Sequence, residues 1–415
     1  MSFSALPREV IHEILIAAVN VRGIKRASRL RYVSRSWNVA VMEAIFASRI
    51  LDGEMNMFSY WPRYLAYRTL GRPGRLSRPL RIIRQVAERL VAHRSADGNT
   101  CTDDALRDCV FEICDVPHIM MNSSLSNSGD WLRDANWPIG GIDEDDDQFR
   151  QALLAAAAWT NEVALIRDLL PNFEDRLYLI CQDGGGQRDF ELIFGYPLCL
   201  AAFRGHNEVV RLFMDAIATG SQENGLLRGT VLEYGAKGNH LSTIELVLEP
   251  EYNYWSTPLV SGLKETASLD IFKRLLPLAK DYLQIEFQRK PNHYDEKFLP
   301  SQLAAAAGAG NVAMMEHLFE LGATIQPRWC RSKNELRNPV LRAAKHGQKN
   351  ALMCLLNRGF VMNQNSLEAA VRYGNPETVQ VVLDNIDQID SLSQLLSIAI
   401  ENENEAVVRM LLSFA

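Results

Sequence analysis

The 415-residue chain holds many side chains capable of chemistry and no arrangement that would use them. Its eight histidines are dispersed; His206, His317 and His346 fall in separate segments. Hydrolysis or proton transfer needs a base held beside a nucleophile or a metal. The sequence has no His-Glu-x-x-His, no Gly-x-Ser-x-Gly and no Walker-type phosphate loop. Gly184-Gly185-Gly186 lacks the preceding strand and the Lys-Ser/Thr pair that a phosphate cradle requires, so it reads as a long loop. Asp143 to Asp147 is an unbroken run of five carboxylates. A calcium loop alternates its ligands and carries a turn glycine, so the run is expected to favour the positive end of the next helix, with metal binding as the sharper alternative. The seven cysteines form no Cys-x-x-Cys pair, which fits a reduced, intracellular protein, cytoplasmic or nuclear. No catalytic, cofactor or metal residue is assigned, and the chain is read as non-catalytic.

What the sequence does carry is a repeated helical unit. Tyr196 to Met214 opens with Pro197, which suits the first turn of a helix because its missing N–H would be unpaired there. Ala201 and Ala202 follow, Gly205 breaks the helix, and a second apolar run starts at Val209. Such a pair cannot bury its own apolar face and needs neighbours. Copies occur at 338–356, at 366–383 and around Ala306-Ala307 to Leu318-Phe319. Weaker ones lie at 157–170, 238–248, 257–276 and 398–412, making eight. The turn advances from Gly205 to Gly238, from Gly310 to Gly347 and from Gly347 to Gly374, that is by 33, 37 and 27 residues.

This spacing and the Pro-Leu-x-x-Ala-Ala pattern resemble the ankyrin repeat. The resemblance implies that the two residues before each turn face a concave partner-binding surface. Those expected to touch a partner are Trp159, Phe203, Arg204, Lys237, Lys264, Lys345, His346, Arg372 and Tyr373. Aromatic and arginine side chains are what interface hot spots favour. The cationic set predicts an acidic or phosphorylated protein segment as the partner; the plainer alternative is that these charges keep the groove soluble. Tyr252, Tyr254, Trp255 and Trp329 are secondary candidates between repeats.

Residues 1–50 form a separate unit. Ser4 is placed to cap a helix carrying Val10, Ile11, Ile14 and Leu15, Gly23 breaks it, and two further helical segments run towards Val33 and from Trp37. Leu6-Pro7-x-Glu9-Val10, Ile14-Leu15 and Leu30-x-x-Val33-Ser34-Arg35-x-Trp37 resemble the F-box. That family docks on a Skp-type adaptor of a cullin-based ubiquitin ligase. The resemblance implies adaptor contacts at Leu6, Pro7, Val10, Ile14, Leu15, Leu30, Val33 and Trp37. The basic connector Asn20 to Arg26 departs from the family pattern, and a simple helical cap for the repeats is the competing reading.

Residues 51–150 read as a helical connector with arginine-rich and acidic loop segments. Tyr60 to Arg94 holds nine arginines and no lysine. Arginines among aromatics suit nucleic acid, but Leu80, Ile83, Ala87 and Val91 mark one amphipathic helix with a basic wet face, the stronger reading. Residues 1–100 carry 17 Lys and Arg against 7 Asp and Glu, leaving 27 against 43 in the remainder. Nucleic acid is therefore a weak third partner class. No run of 18 apolar residues marks a membrane span, and Arg8, Glu9 and Glu13 interrupt the N-terminal apolar pattern of any signal peptide. The expectation is an all-α chain: a three-helix F-box-like module, a helical connector, and an ankyrin-like solenoid over 151–415. Its expected role is that of a substrate-recruiting adaptor, the alternative being a repeat scaffold with no ligase role.

Overall fold

The computed structural model describes residues 6–53, 61–71, 76–95, 102–116, 132, 142–173, 192–218, 224–249, 256–288, 298–323, 338–373, 375–386, 388–402 and 404–413. Among them the chain is helical throughout, with no strand. They fall into two compact units, Met1–Leu227 and Arg228–Ala415.

The first unit begins with α1 (Arg8–Ala27). Gly23 leaves helical geometry at φ 71°, so the helix is broken where the sequence places the break. A 3-10 turn, Ser28–Tyr32, leads to α2 (Arg35–Ala47). Ser34 caps α2 by accepting the Trp37 N–H at 3.2 Å. The connector supplies α3 (Trp61–Thr69), α4 (Arg78–Ser95) and α5 (Asp103–Cys114). The Phe46 ring lies 5.4 Å from Tyr64 and 5.5 Å from Tyr67, joining α2 to α3. The helix pairs α6 (Asp147–Thr160) with α7 (Val163–Leu169), and α8 (Pro197–Arg204) with α9 (Asn207–Ala218), complete the unit. Both α4 and α5 pack on α6, so the connector touches the N-terminal module and the first repeat alike.

The acidic run behaves as the helix-capping reading expects. Asp146 accepts from the Gln148 and Phe149 N–H groups at 3.0 Å each and caps α6. It also pairs with Arg78 of α4 at 2.5 Å, while Asp145 pairs with Arg150.

The second unit holds six pairs, the first of which starts with α10 (Asn224–Lys237), a helix that spans the boundary. They are α10 with α11 (Leu241–Val247), α12 (Ser256–Glu265) with α13 (Leu269–Gln288), and α14 (Leu299–Ala309) with α15 (Val312–Glu320). Then come α16 (Pro339–Lys345) with α17 (Lys349–Asn357), α18 (Gln364–Tyr373) with α19 (Pro376–Asp384), and α20 (Leu392–Glu401) with α21 (Glu405–Ser413). From α14 onward the first helices pack in sequence, α14 on α16 on α18 on α20, and the second helices form a matching row. All eight expected pairs are present. The helix α13 runs on to Gln288 with Pro277 inside it.

The turns explain why small residues recur. At Gly205 and Gly310 the backbone is left-handed, φ 72° and 71°. Gly310 N–H reaches Ala307 O at 3.2 Å and Asn311 N–H reaches Ala306 O at 2.9 Å, the doubled closure of a glycine-terminated helix. Asn239 and Asn161 do the same work at φ 61° and 64°, since asparagine tolerates this region. The third turn is therefore at Asn239 and not at Gly238 as read from the sequence. The alanines before these turns, among them Ala157, Ala201, Ala202, Ala306 and Ala343, are buried and let neighbouring helices approach closely.

Candidate functional site

Two surfaces carry the residues singled out by the sequence. The first is on the N-terminal module. Along α1 successive side chains turn by about 100°, so Val10, Ile14 and Val21 lie within about 40° of one another. They are 43%, 42% and 86% exposed, and Val33 beyond the 3-10 turn is 63% exposed. Pro7 is exposed, whereas Leu6, Leu30 and Trp37 are half-buried. Leu15 corrects the sequence reading: it is 3% exposed and, with Val19, belongs to the module's own core. Its direction on α1 is about 140° from Val10, so it cannot share that face. Val21 and the exposed Val39 of α2 were not singled out beforehand. The signal for Val21 was its heptad-like spacing from Val10 and Ile14.

The second set comprises the residues preceding the turns, taken in each unit separately, and its members divide sharply. Trp159 is 3% exposed. Its indole N–H donates to Glu112 O of α5 at 3.1 Å, its ring stacks on Phe203 at 6.2 Å, and the Arg204 guanidinium lies 4.7 Å over it. The expectation that Trp159 meets a partner is thus corrected, because the connector helix already covers it. Phe203 is half-buried and Arg204 exposed beside it. His206 donates from Nε2 to Trp159 O at 3.0 Å, so it ties one turn to the next.

In the second unit Lys237 is committed to internal partners. Its Nζ lies 2.9 Å from Glu233, 3.8 Å from Glu265 and 4.9 Å from the Tyr234 ring centre. With the turn moved to Asn239, Lys237 also shifts by one register position. Lys264 is exposed. Lys345 Nζ lies 5.2 Å over the Tyr373 ring, and Tyr373 is 55% exposed. Arg372 is exposed and pairs with Glu368 at 2.6 Å, and His346 is exposed at the neighbouring turn. Half-buried Lys345 thus rests on the exposed Tyr373 ring, and His346 and Arg372 are exposed next to them in sequence. Tyr252, Tyr254, Trp255 and Trp329 lie outside the described residues.

Asparagines that the sequence reading passed over hold this edge in register. Asn311 accepts from Met314 N–H at 3.1 Å and donates to Ala267 O of the preceding turn at 2.7 Å. Asn375 repeats this with Thr378 N–H at 3.2 Å and Gly347 O at 3.4 Å. One side chain thus caps its own helix and clasps the neighbouring pair, and the Gly-Asn dipeptides at 310 and 374 were the available signal.

Four of the nine arginines of the arginine-rich segment, Arg68, Arg78, Arg84 and Arg94, are held by acidic side chains. Arg78 pairs with Asp146, Arg84 with Glu88 at 3.1 Å, and Arg94 with Glu162 at 2.6 Å and Glu112 at 3.2 Å. Trp61 and Tyr64 are buried, which removes them as stacking platforms for bases. Tyr64 and Arg68 both bond Asp52 in the interior, and Arg68 also donates to Leu132 O at 3.3 Å. Burial, with the Asp52 carboxylate beside it, raises the Tyr64 hydroxyl above its ordinary range.

Among the described cysteines, burial pushes Cys109 up to about 11, and Cys114 is raised for the same reason, so both are neutral packing thiols near neutral pH. Among the described residues no group of three His, Cys, Asp or Glu is placed to hold a metal ion, and no helix is long and apolar enough to cross a membrane.

No protein-family model matches the chain, and no curated protein does. Among solved structures it is similar to the crystal structure of the human ASB11 ankyrin repeat domain, with 16% identity, a TM-score of 0.29, and coverage of 62% of this chain and 96% of that one. The all-helical, paired architecture follows from the chain's own turns and packing.

Proposed function

We propose that the chain is a non-catalytic adaptor. Its N-terminal module, residues 1–50, docks a Skp-type adaptor of a cullin-based ubiquitin ligase, and its helix pairs from 151 onward hold a protein substrate. The observation that carries this reading is the exposed apolar stripe of Val10, Ile14 and Val21, with Val33 exposed beyond the 3-10 turn. A module of three short helical segments has little core of its own, and leaving four aliphatic side chains in water favours a partner that covers them. The F-box-like spacing of Leu6-Pro7, Ile14-Leu15 and Val33-x-Arg35-x-Trp37 supports a Skp-type partner. On the repeats, Lys345, His346, Arg372 and Tyr373 supply the cationic and aromatic anchors for an acidic or phosphorylated segment. The adaptor catalyses nothing itself and acts by raising the local concentration of the substrate beside the ligase.

Co-purification with a recombinant Skp-type adaptor tests this reading. The wild-type chain is expected to retain the adaptor, and Val10→Asp with Ile14→Asp to lose it by at least tenfold. Both side chains are exposed, so the paired change leaves the module folded. Retention by the doubly substituted chain, or no capture by the wild type, rejects the ligase role and leaves a repeat scaffold.

A further inference from the structure

A cleft of about 1130 Å³ opens among α2, α3 and α5, and neither the apolar stripe of α1 nor the repeat turns accounts for it. His12 is the α1 residue on its wall. His12 points about 160° away from Val10 and Ile14 around the helix, so the cleft and the stripe occupy different sides of the module.

Its floor is aromatic. Phe46, Tyr67 and Phe111 line it, and Val39 stands at its edge. Tyr67 and Val39 are both among the exposed large apolar residues of the chain, although Tyr67 contacts Phe46 at 5.5 Å.

Its wall is cationic. Arg31, Arg49, Arg63, Arg68 and Arg107 face it, against Glu43, Asp103 and Asp104. Arg68 is neutralised from beneath by Asp52. Asp103 and Asp104 sit in the first turn of α5, where the helix end offsets their charge. Arg31 donates from Nε to Asn38 Oδ1 at 2.8 Å. Arg63 is exposed, and no acidic side chain among the described residues engages it. Arg107 is exposed too and rests 5.9 Å over the Phe111 ring, which leaves its guanidinium edge available. Arg49 holds a left-handed backbone, φ 58°, and its side chain pairs with Asp52 at 3.0 Å. That conformation is uncommon for a non-glycine residue, and such positions cluster where side chains are aimed for a purpose.

We propose that this cleft binds an acidic peptide segment, with an aromatic or large aliphatic side chain seated on Phe46, Tyr67 and Phe111. Carboxylates on either side of that anchor pair with Arg63 and Arg107. Guanidinium groups favour carboxylates through paired N–H donors, and a cleft that opens to solvent suits a peptide better than an enclosed small molecule.

Fluorescence anisotropy on the full chain provides the test. The probe is a fluorescein-labelled synthetic peptide with two phenylalanines flanked by glutamates. Binding is expected, with a loss of at least tenfold for Arg63→Glu with Arg107→Glu. A loss of about fivefold is expected for Tyr67→Ala, and a similar loss when glutamine replaces glutamate in the peptide. Arg63→Gln with Arg107→Gln removes charge at exposed positions without reversing it, and it is expected to weaken the peptide while leaving the melting curve unchanged. Val10→Asp with Ile14→Asp is expected to leave peptide binding intact, which separates this site from the adaptor-docking face. The proposal is overturned by no binding at millimolar peptide, by binding indifferent to the arginine changes, or by a single-stranded oligonucleotide that displaces the peptide at lower concentration.

Discussion

Trp159 and Phe203 hold the same register position, two residues before the turn of their helix pairs, yet only one is closed off. The difference is α5, whose Glu112 carbonyl takes the Trp159 indole proton while Arg204 covers the ring. The register was legible in the sequence; the covering helix was not, because it comes from a connector with no repeat pattern to place it. Leu15 teaches the same lesson on α1, where a two-residue motif spans both the wet and the buried side of one helix. Trp159 is therefore a stability residue. Trp159→Ala is expected to cost about 3–5 kcal/mol in urea denaturation, through lost packing and an orphaned carbonyl. A loss under about 1 kcal/mol would return Trp159 to the open face. By contrast, Tyr373 is 55% exposed, with half-buried Lys345 resting over its ring.

At the scale of the elements, the repeats were readable because their physics is local. A helix that ends after an alanine pair needs a residue at positive φ, and Gly205, Gly310 and Gly347 announce it. Where asparagine does the same task, at Asn161 and Asn239, the signal is weaker, and a neighbouring glycine at 238 drew the turn one residue early. The pairing of α14 with α15 tests this account. A side chain at Gly310 meets left-handed backbone strain and the movable end of Gln348. Gly310→Ala is expected to destabilise the second unit by about 1–2 kcal/mol. Gly310→Asn should lose less, because asparagine already fills two of these turns. Equal losses in thermal melts would show that crowding against Gln348, and not backbone strain, sets the cost. The final pair gives a second view of what stacking does. Val371 and Leu383 are buried, while Ile400 and Leu412, at the corresponding places of α20 and α21, are exposed.

For the molecule as a whole, the charge asymmetry read from the sequence has an internal use. Part of the basic excess of the first hundred residues is spent on the chain itself, since Arg78 and Arg94 of α4 bind Asp146 and Glu162 at the start of the repeats. This weakens a nucleic-acid reading and explains how a connector without a motif is held against the first helix pair. The pairings cross 68 residues of sequence, a separation no periodicity reveals. Among the outward side chains of the N-terminal module are Val10, Ile14 and Val21, and the central question is what covers them. Hydrogen exchange of the full chain, with and without a saturating Skp-type adaptor, measures this directly. The account predicts slowed exchange in peptides spanning residues 8–33 and unchanged exchange across the helix pairs beyond 228. No protection over 8–33, or protection confined to the repeats, would contradict it.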